Sequence, residues 1–168
     1  VNSIEVGVAT IGEAATVDIV ITNTGPMVSL TESVSQLTEG SGLSATISAC
    51  LQWALASDLI VELTPDVTNT WADGINAVEG SDYLTLSDIT IASGSSCGTT
   101  TFTTIDDSLY GDLRHALIGI TGTSGSDIGS IGSTAYVKIV EDELAPSVTL
   151  SSSASSVMEN GNNLTVTA

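Results

Sequence analysis

Apolar and polar residues alternate with a period of two in short stretches along the whole chain. Ala15-Thr16-Val17-Asp18-Ile19-Val20-Ile21 is one, and Asp58-Leu59-Ile60-Val61-Glu62-Leu63 is another. Asp88-Ile89-Thr90-Ile91, Thr99-Thr100-Thr101-Phe102-Thr103-Thr104-Ile105, Ala116-Leu117-Ile118-Gly119-Ile120 and Tyr136-Val137-Lys138-Ile139-Val140 follow. Such alternation puts the apolar side chains on one face of a strand. Between the stretches lie turn-forming clusters such as Glu39-Gly40-Ser41-Gly42 and Ser93-Gly94-Ser95-Ser96. Helical spacing is weak everywhere, and its best stretch, residues 50–57, is short. Short strands about ten residues apart with polar turns predict an all-β chain folded as a β-sandwich.

One of these stretches occurs twice. Ile11-Gly12-Glu13-Ala14-Ala15-Thr16-Val17-Asp18-Ile19-Val20 returns as Ile131-Gly132-Ser133-Thr134-Ala135-Tyr136-Val137-Lys138-Ile139-Val140, an offset of 120 residues. In the same register Pro26 meets Pro146, Val28 meets Val148, Leu30 meets Leu150, Leu37 meets Val157 and Glu39 meets Glu159. Matching Leu43 with Leu164 then takes one inserted residue. The repeat divides the chain into the last strands of a preceding module (1–25), a complete module (26–145) and the first strands of a following one (146–168). The two partial ends are too short to make a further domain, which predicts an excerpt of a tandem array. End strands that complete a neighbour's sheet are the alternative.

Charge sharpens the picture. The chain has 20 Asp and Glu against 2 Lys and Arg, a net charge of -18. A surface that neutralises nucleic-acid phosphates needs clustered cations, so nucleic acid is excluded as a partner, as is a polybasic membrane anchor. With 42% hydrophobic residues the chain is no disordered acidic tail. No apolar run approaches the roughly 20 residues of a membrane helix, so no membrane insertion is expected. The opening Val1-Asn2-Ser3-Ile4 shows no leader pattern.

The acidic residues fall in a recognisable order. Trp71-Ala72-Asp73-Gly74 precedes Glu79-Gly80-Ser81-Asp82-Tyr83, then Thr104-Ile105-Asp106-Asp107 with Gly111-Asp112, and Val137-Lys138-Ile139-Val140 ends in Glu141-Asp142-Glu143. This order resembles the Calx-beta motif, over residues 26–145 and both flanking fragments. The resemblance implies an immunoglobulin-like seven-stranded sandwich whose acidic residues bind Ca2+. It carries the ligand role to Glu39, Asp82, Asp106, Asp107, Glu141, Asp142 and Glu143. Two carboxylate positions of the motif are missing here, one through a deletion beside Gly111 and one replaced by Leu113. That implies fewer or weaker ions. The earlier fragment ends Ile21-Thr22-Asn23-Thr24, without the closing acids.

Seven strands are expected at 27–34, 43–48, 58–64, 84–92, 99–105, 116–121 and 135–140. In a sandwich the loops carrying Glu39, then Asp73, Glu79 and Asp82, then Asp106, Asp107 and Asp112, and the end carrying Glu141 to Glu143, share one pole. Ten carboxylates gathered there would repel one another and raise some of their pKa values. A hard cation with six to eight oxygen ligands answers that repulsion, whereas solvated loop acids are the plainer alternative.

Cys50 and Cys97 are expected at the opposite pole, either disulfide-bonded or as two unpaired small residues. A bond would suit an oxidising compartment. His115 is the lone histidine, and no nucleophile elbow, zinc pair or phosphate loop is present, so no enzymatic activity is expected. Trp53 and Trp71 could contact a glycan or protein ligand, or plug the core. Asn163-Leu164-Thr165 is a glycosylation sequon. These features lead to a structural repeat module of an extracellular or cell-surface fibre, stalk or adhesin, rigidified by Ca2+. Its partners would be neighbouring repeats or identical chains. An adhesive glycan- or protein-binding module is the alternative, followed by a cytosolic Ca2+ sensor.

Overall fold

The computed structural model describes residues 25–161 and 163–168; the alternating stretch at 15–21 and the preceding fragment lie outside the described residues. The strands, in order, are β1 (Met27–Glu32), β2 (Gln36–Thr38), β3 (Ser44–Leu51), β4 (Leu59–Pro65), β5 (Ile75–Asn76) and β6 (Ile89–Ile91). They continue as β7 (Cys97–Thr103), β8 (Arg114–Ser124), β9 (Ser130–Ile131), β10 (Ala135–Val140), β11 (Ser151–Ser152) and β12 (Val166–Thr167). No helix occurs among the described residues, and none is long and apolar enough to cross a membrane. In the short stretch with helical spacing, Cys50 and Leu51 instead complete β3.

Two sheets face each other. One has the order β7-β3-β1-β9; the other has β2-β10-β8-β4-β6, with β5 paired to β8. The alternation seen in the sequence becomes the burial pattern directly. In β10, Ala135, Val137 and Ile139 are buried and the residues between them are half-buried; in β3, Ala45, Ile47, Ala49 and Leu51 point inward. The core also takes Leu30, Leu59, Val61, Ile89, Ile91, Phe102 and Ile118. Each fully buried Leu, Ile or Val contributes about 1.5–3 kcal/mol.

Several predicted strands differ in extent. The first divides at Ser33–Ser35: β1 pairs with β3 in one sheet, and β2 crosses to pair with β10 in the other. The strand expected at 84–92 reduces to β6, because carboxylates take the place of strand partners. Leu86 N donates to Glu79 Oε1 (2.8 Å), and Asp88 Oδ1 accepts from Leu63 N (3.0 Å) where the β4–β8 register shifts at Glu62/Leu63. β8 extends well beyond the predicted 116–121 because it pairs with β4, β5 and β10 along its length.

The segment after β10 repeats the opening of the sandwich in miniature. In the sandwich, Ser33 N donates to Thr46 O and Ser33 Oγ accepts from Thr46 N (both 2.9 Å). Ser153 N likewise donates to Thr165 O (2.9 Å), and Ser153 Oγ accepts from Thr165 N (3.1 Å). The separation is 13 residues in the first pair and 12 in the second. The second copy therefore has one residue fewer between its strands, not one more, and Leu164 corresponds to Ala45 rather than Leu43.

Candidate metal centre at the acidic pole

The topology sets the poles. β10 runs parallel to β2 and β9 parallel to β1, so Thr38 and Val140 finish side by side. Ser44 of β3 pairs with Thr103 of β7, and Arg114 of β8 with Ile139 of β10. The turn after β2, the loop between β7 and β8 and the end of β10 therefore meet at one end. Cys50 pairs with both Ser29 and Cys97 at the other end.

At the acidic pole two sets of carboxylate oxygens converge, each within 4.8 Å: Glu39, Glu141 and Asp142, and Asp106, Asp142 and Glu143. Asp142 belongs to both. Glu39 is buried, and burial, with the charges of Glu141, Asp107 and Asp142, pushes its pKa up. Glu141 and Glu143 face each other as a tightly linked pair. Contact with Glu143 holds Glu141 below the usual carboxylate range, and contact with Glu141, together with burial and the charge of Asp142, pushes Glu143 up to about 7. Glu141 Oε2 also accepts from Gly111 N (2.6 Å). Glu143 Oε2 is shut off from solvent and accepts no hydrogen bond.

The backbone closes tightly on this cluster. Gly40 has φ +62°, and a Cβ there would lie 2.6 Å from Asp142 Oδ2 and 2.7 Å from Asp106 Oδ1. A side chain would therefore displace the carboxylates, and only glycine adopts that backbone without strain.

Not every acid expected at the pole belongs to the cluster. Asp82 Oδ1 lies 3.3 Å from Arg114 Nε, and Asp82 Oδ2 accepts from Val78 N (2.6 Å). Asp73 pairs with Lys138 at 3.2 Å. Glu79 caps Leu86 N, and Asp107 Oδ1 accepts from Leu109 N (2.6 Å). Asp107 still borders the cluster, since its backbone N–H bonds Glu39. The two pairs engage both Lys and Arg residues of the chain, so Glu39, Asp106, Glu141, Asp142 and Glu143 have no basic side chain to neutralise them. Sequence reasoning could not distinguish these roles, because which acid meets Arg114 depends on loop geometry.

Cys50 and Cys97 are bonded across β3 and β7, with Cα atoms 4.2 Å apart. Cys97 is the first residue of β7 rather than part of the preceding turn. The tryptophans lie toward opposite poles. Trp53 is exposed just beyond β3. Trp71 stacks on His115 at 4.2 Å, and its Nε1 donates to Asn76 Oδ1 (2.6 Å). His115 is buried, with Nε2 2.6 Å from Asp73 O and Nδ1 2.8 Å from the Tyr136 hydroxyl. These contacts tie the 66–76 loop to β8 and β10. Beside Trp71, Asn69, Gly74 and Ile75 line a depression of about 260 Å³. Trp53 is not part of it, so the two tryptophans do not form one contact surface.

This fold is Calx-beta-like. CBD12 from CALX1.2 superposes with a TM-score of 0.51 at 14% identity, over 70% of this chain and 44% of that one. The calcium binding domain CBD12 of CALX1.1 gives 0.50 at 17% identity, over 67% and 44%. The chain thus spans less than half the length of either. No protein-family model matches the chain. No curated protein matches it in sequence.

Proposed function

We propose that the sandwich is a Ca2+-binding structural module of an extracellular surface protein, one of a series of similar repeats. The observation that carries this reading is the convergence of Glu39, Asp106, Glu141, Asp142 and Glu143 with no cationic side chain among them. Hard oxygen donors suit Ca2+, which takes six to eight oxygens at 2.3–2.6 Å. The unpartnered Glu143 Oε2 and the close approach of Gly40 fit such an ion. Backbone carbonyls and water would complete its shell. One of the superposing structures, CBD12 of CALX1.1, is a calcium binding domain, which supports the same choice of ion.

Glu141–Glu143 lead directly into Leu144-Ala145-Pro146, so an ion there would stiffen the exit from the sandwich. The disulfide supports an oxidising compartment. An extracellular module needs only weak affinity, with Kd about 10⁻⁴–10⁻³ M.

Calorimetric titration of chelator-stripped protein, followed by thermal melting with Ca2+, Mg2+ or chelator, tests the reading. Ca2+ is expected to titrate with measurable heat and to raise Tm, with Mg2+ much weaker. No heat and an unchanged Tm would remove calcium from the function.

A further inference from the structure

The hairpin β11–β12 exposes a set of apolar residues that its counterpart in the sandwich buries. Val148, Leu150 and Val157 match Val28, Leu30 and Leu37 in sequence. The shared serine bonds match Leu164 and Val166 with Ala45 and Ile47. The sandwich residues are no more than 4% exposed, whereas their counterparts range from 41% at Leu164 to 76% at Val148. Among the described residues, backbone pairing in this tail is confined to Ser151–Thr167, Ser152–Val166 and Ser153–Thr165.

Within the sandwich, β9 and β10 cover the corresponding positions. Gly132 N donates to Val28 O (2.7 Å) and Leu30 N to Ser133 O (2.9 Å). Lys138 N donates to Ser35 O and Glu39 N to Val140 O (both 2.9 Å), and Ile139 stands opposite Leu37. The sequence carries a second set of β9–β10 residues at 11–20, in which Ala15, Val17 and Ile19 match the buried Ala135, Val137 and Ile139.

We propose that the apolar face of residues 146–168 seats residues 11–20 of a second copy of this chain. Gly12 N then bonds Val148 O, Leu150 N bonds Glu13 O, Asp18 N bonds Ser155 O and Glu159 N bonds Val20 O. Val17 and Ile19 pack against Leu150 and Val157. Charge opposes this little, since Glu159 is the only charged side chain in the tail.

Head and tail leave the sandwich at opposite poles. Pro26 enters beside the disulfide, and Val140 leaves at the acidic cluster. β8 alone spans 11 residues, about 36 Å at strand spacing. A copy could reach its own tail only by folding that tail back along the sandwich. Between copies the same pairing adds each molecule in one direction, a head-to-tail contact that builds an open filament rather than a closed dimer. This deepens the repeat half of the proposed function and rests on it: the series of similar repeats is then built by separate copies of the chain joined end to end. It does not depend on the calcium half.

Sedimentation velocity on the full 168-residue chain tests it, in chelator and in Ca2+. The wild type is expected to grow in mass with concentration under both conditions. Val17→Asp blocks the head and Leu150→Asp blocks the tail, so each variant alone should sediment as a monomer. Their equimolar mixture should stop at a dimer, because one intact head meets one intact tail. A peptide of residues 10–24 should shorten the wild-type oligomers. Leu150 lies outside the sandwich core, so at dilutions where the wild type is monomeric the variant's melting should match it and confirm its fold. A wild type that stays monomeric at every concentration overturns the proposal, as do oligomers that neither substitution alters. Assembly failing in both conditions while Ca2+ still raises Tm would sink the filament and leave the calcium reading standing.

Discussion

Gly40 stands so close to Asp142 that a methyl group on it would lie 2.6 Å from the Oδ2 oxygen. Gly40→Ala should therefore act twice. A left-handed non-glycine residue costs about 1–2 kcal/mol, which melting would detect. The displaced Asp142 and Asp106 oxygens should also reduce or abolish the Ca2+-induced rise in Tm.

Asp142 is common to both carboxylate sets, whereas Asp73 is bound to Lys138 outside them. Asp142→Asn should weaken Ca2+ binding at least tenfold, which corresponds to about 1.4 kcal/mol. Asp73→Asn should leave the affinity unchanged. Calorimetric titration of the two variants side by side separates these outcomes, and equal losses would mean that the site has been misplaced.

Without metal, stability should fall as pH rises across the range set by Glu143. Its carboxyl is pushed up from 4.5 to about 7 by its contact with Glu141. Between those values the folded chain holds a proton that the unfolded chain has released, so raising the pH favours unfolding. Glu39, also raised, acts in the same direction. Glu141 acts oppositely: its lowered pKa contributes stability above 4.5 that is lost as pH falls further. Melting in chelator from pH 4 to 8 should show Tm declining above about pH 5. Saturating Ca2+ should flatten that decline.

The disulfide closes a loop with a sequence separation of 47. Replacing Cys50 and Cys97 together by serine should lower stability by about 3–4 kcal/mol. Because the bond lies at the far pole, Ca2+ affinity of the folded variant should not change. Denaturant melts and calorimetry on one preparation would check both.

Tyr83 is fully buried and stacks on Phe102 at 4.6 Å, yet its hydroxyl has no hydrogen-bond partner. Burial and the charges of Glu79 and Asp82 push its pKa up to about 12. Tyr83→Phe keeps the ring and removes an unsatisfied polar group, so it should stabilise the sandwich by about 1 kcal/mol. A loss of stability on denaturant titration would mean that the hydroxyl is satisfied in solution.

The strands were legible because burial on one face imposes a period of two on residues adjacent in sequence. Ala135, Val137 and Ile139 of β10 are the clearest case. The division of the first strand was not legible. Val34 keeps the phase of Val28 and Leu30 and Leu37 breaks it, but only the presence of β10 draws residues 36–38 into the second sheet. Residues 84–88 look equally strand-like in isolation. Glu79 and Asp88 decide otherwise: Glu79 accepts from Leu86 N, and Asp88 accepts from Leu63 N of β4.

The candidate site divides in the same way. Composition and spacing alone determined an all-β chain, a repeat at 120 residues and an excess of acids in particular loops. The tertiary structure decided which acids remain without a counter-charge. Arg114 meets Asp82, Lys138 meets Asp73, Glu79 and Asp107 bond backbone N–H groups, and Glu39, Asp106, Glu141 and Glu143 converge with Asp142. Alternation reports on neighbours a few residues apart, so it can be read from the chain. Charge pairing joins residues up to 65 positions apart, and only the closed sandwich brings them within reach.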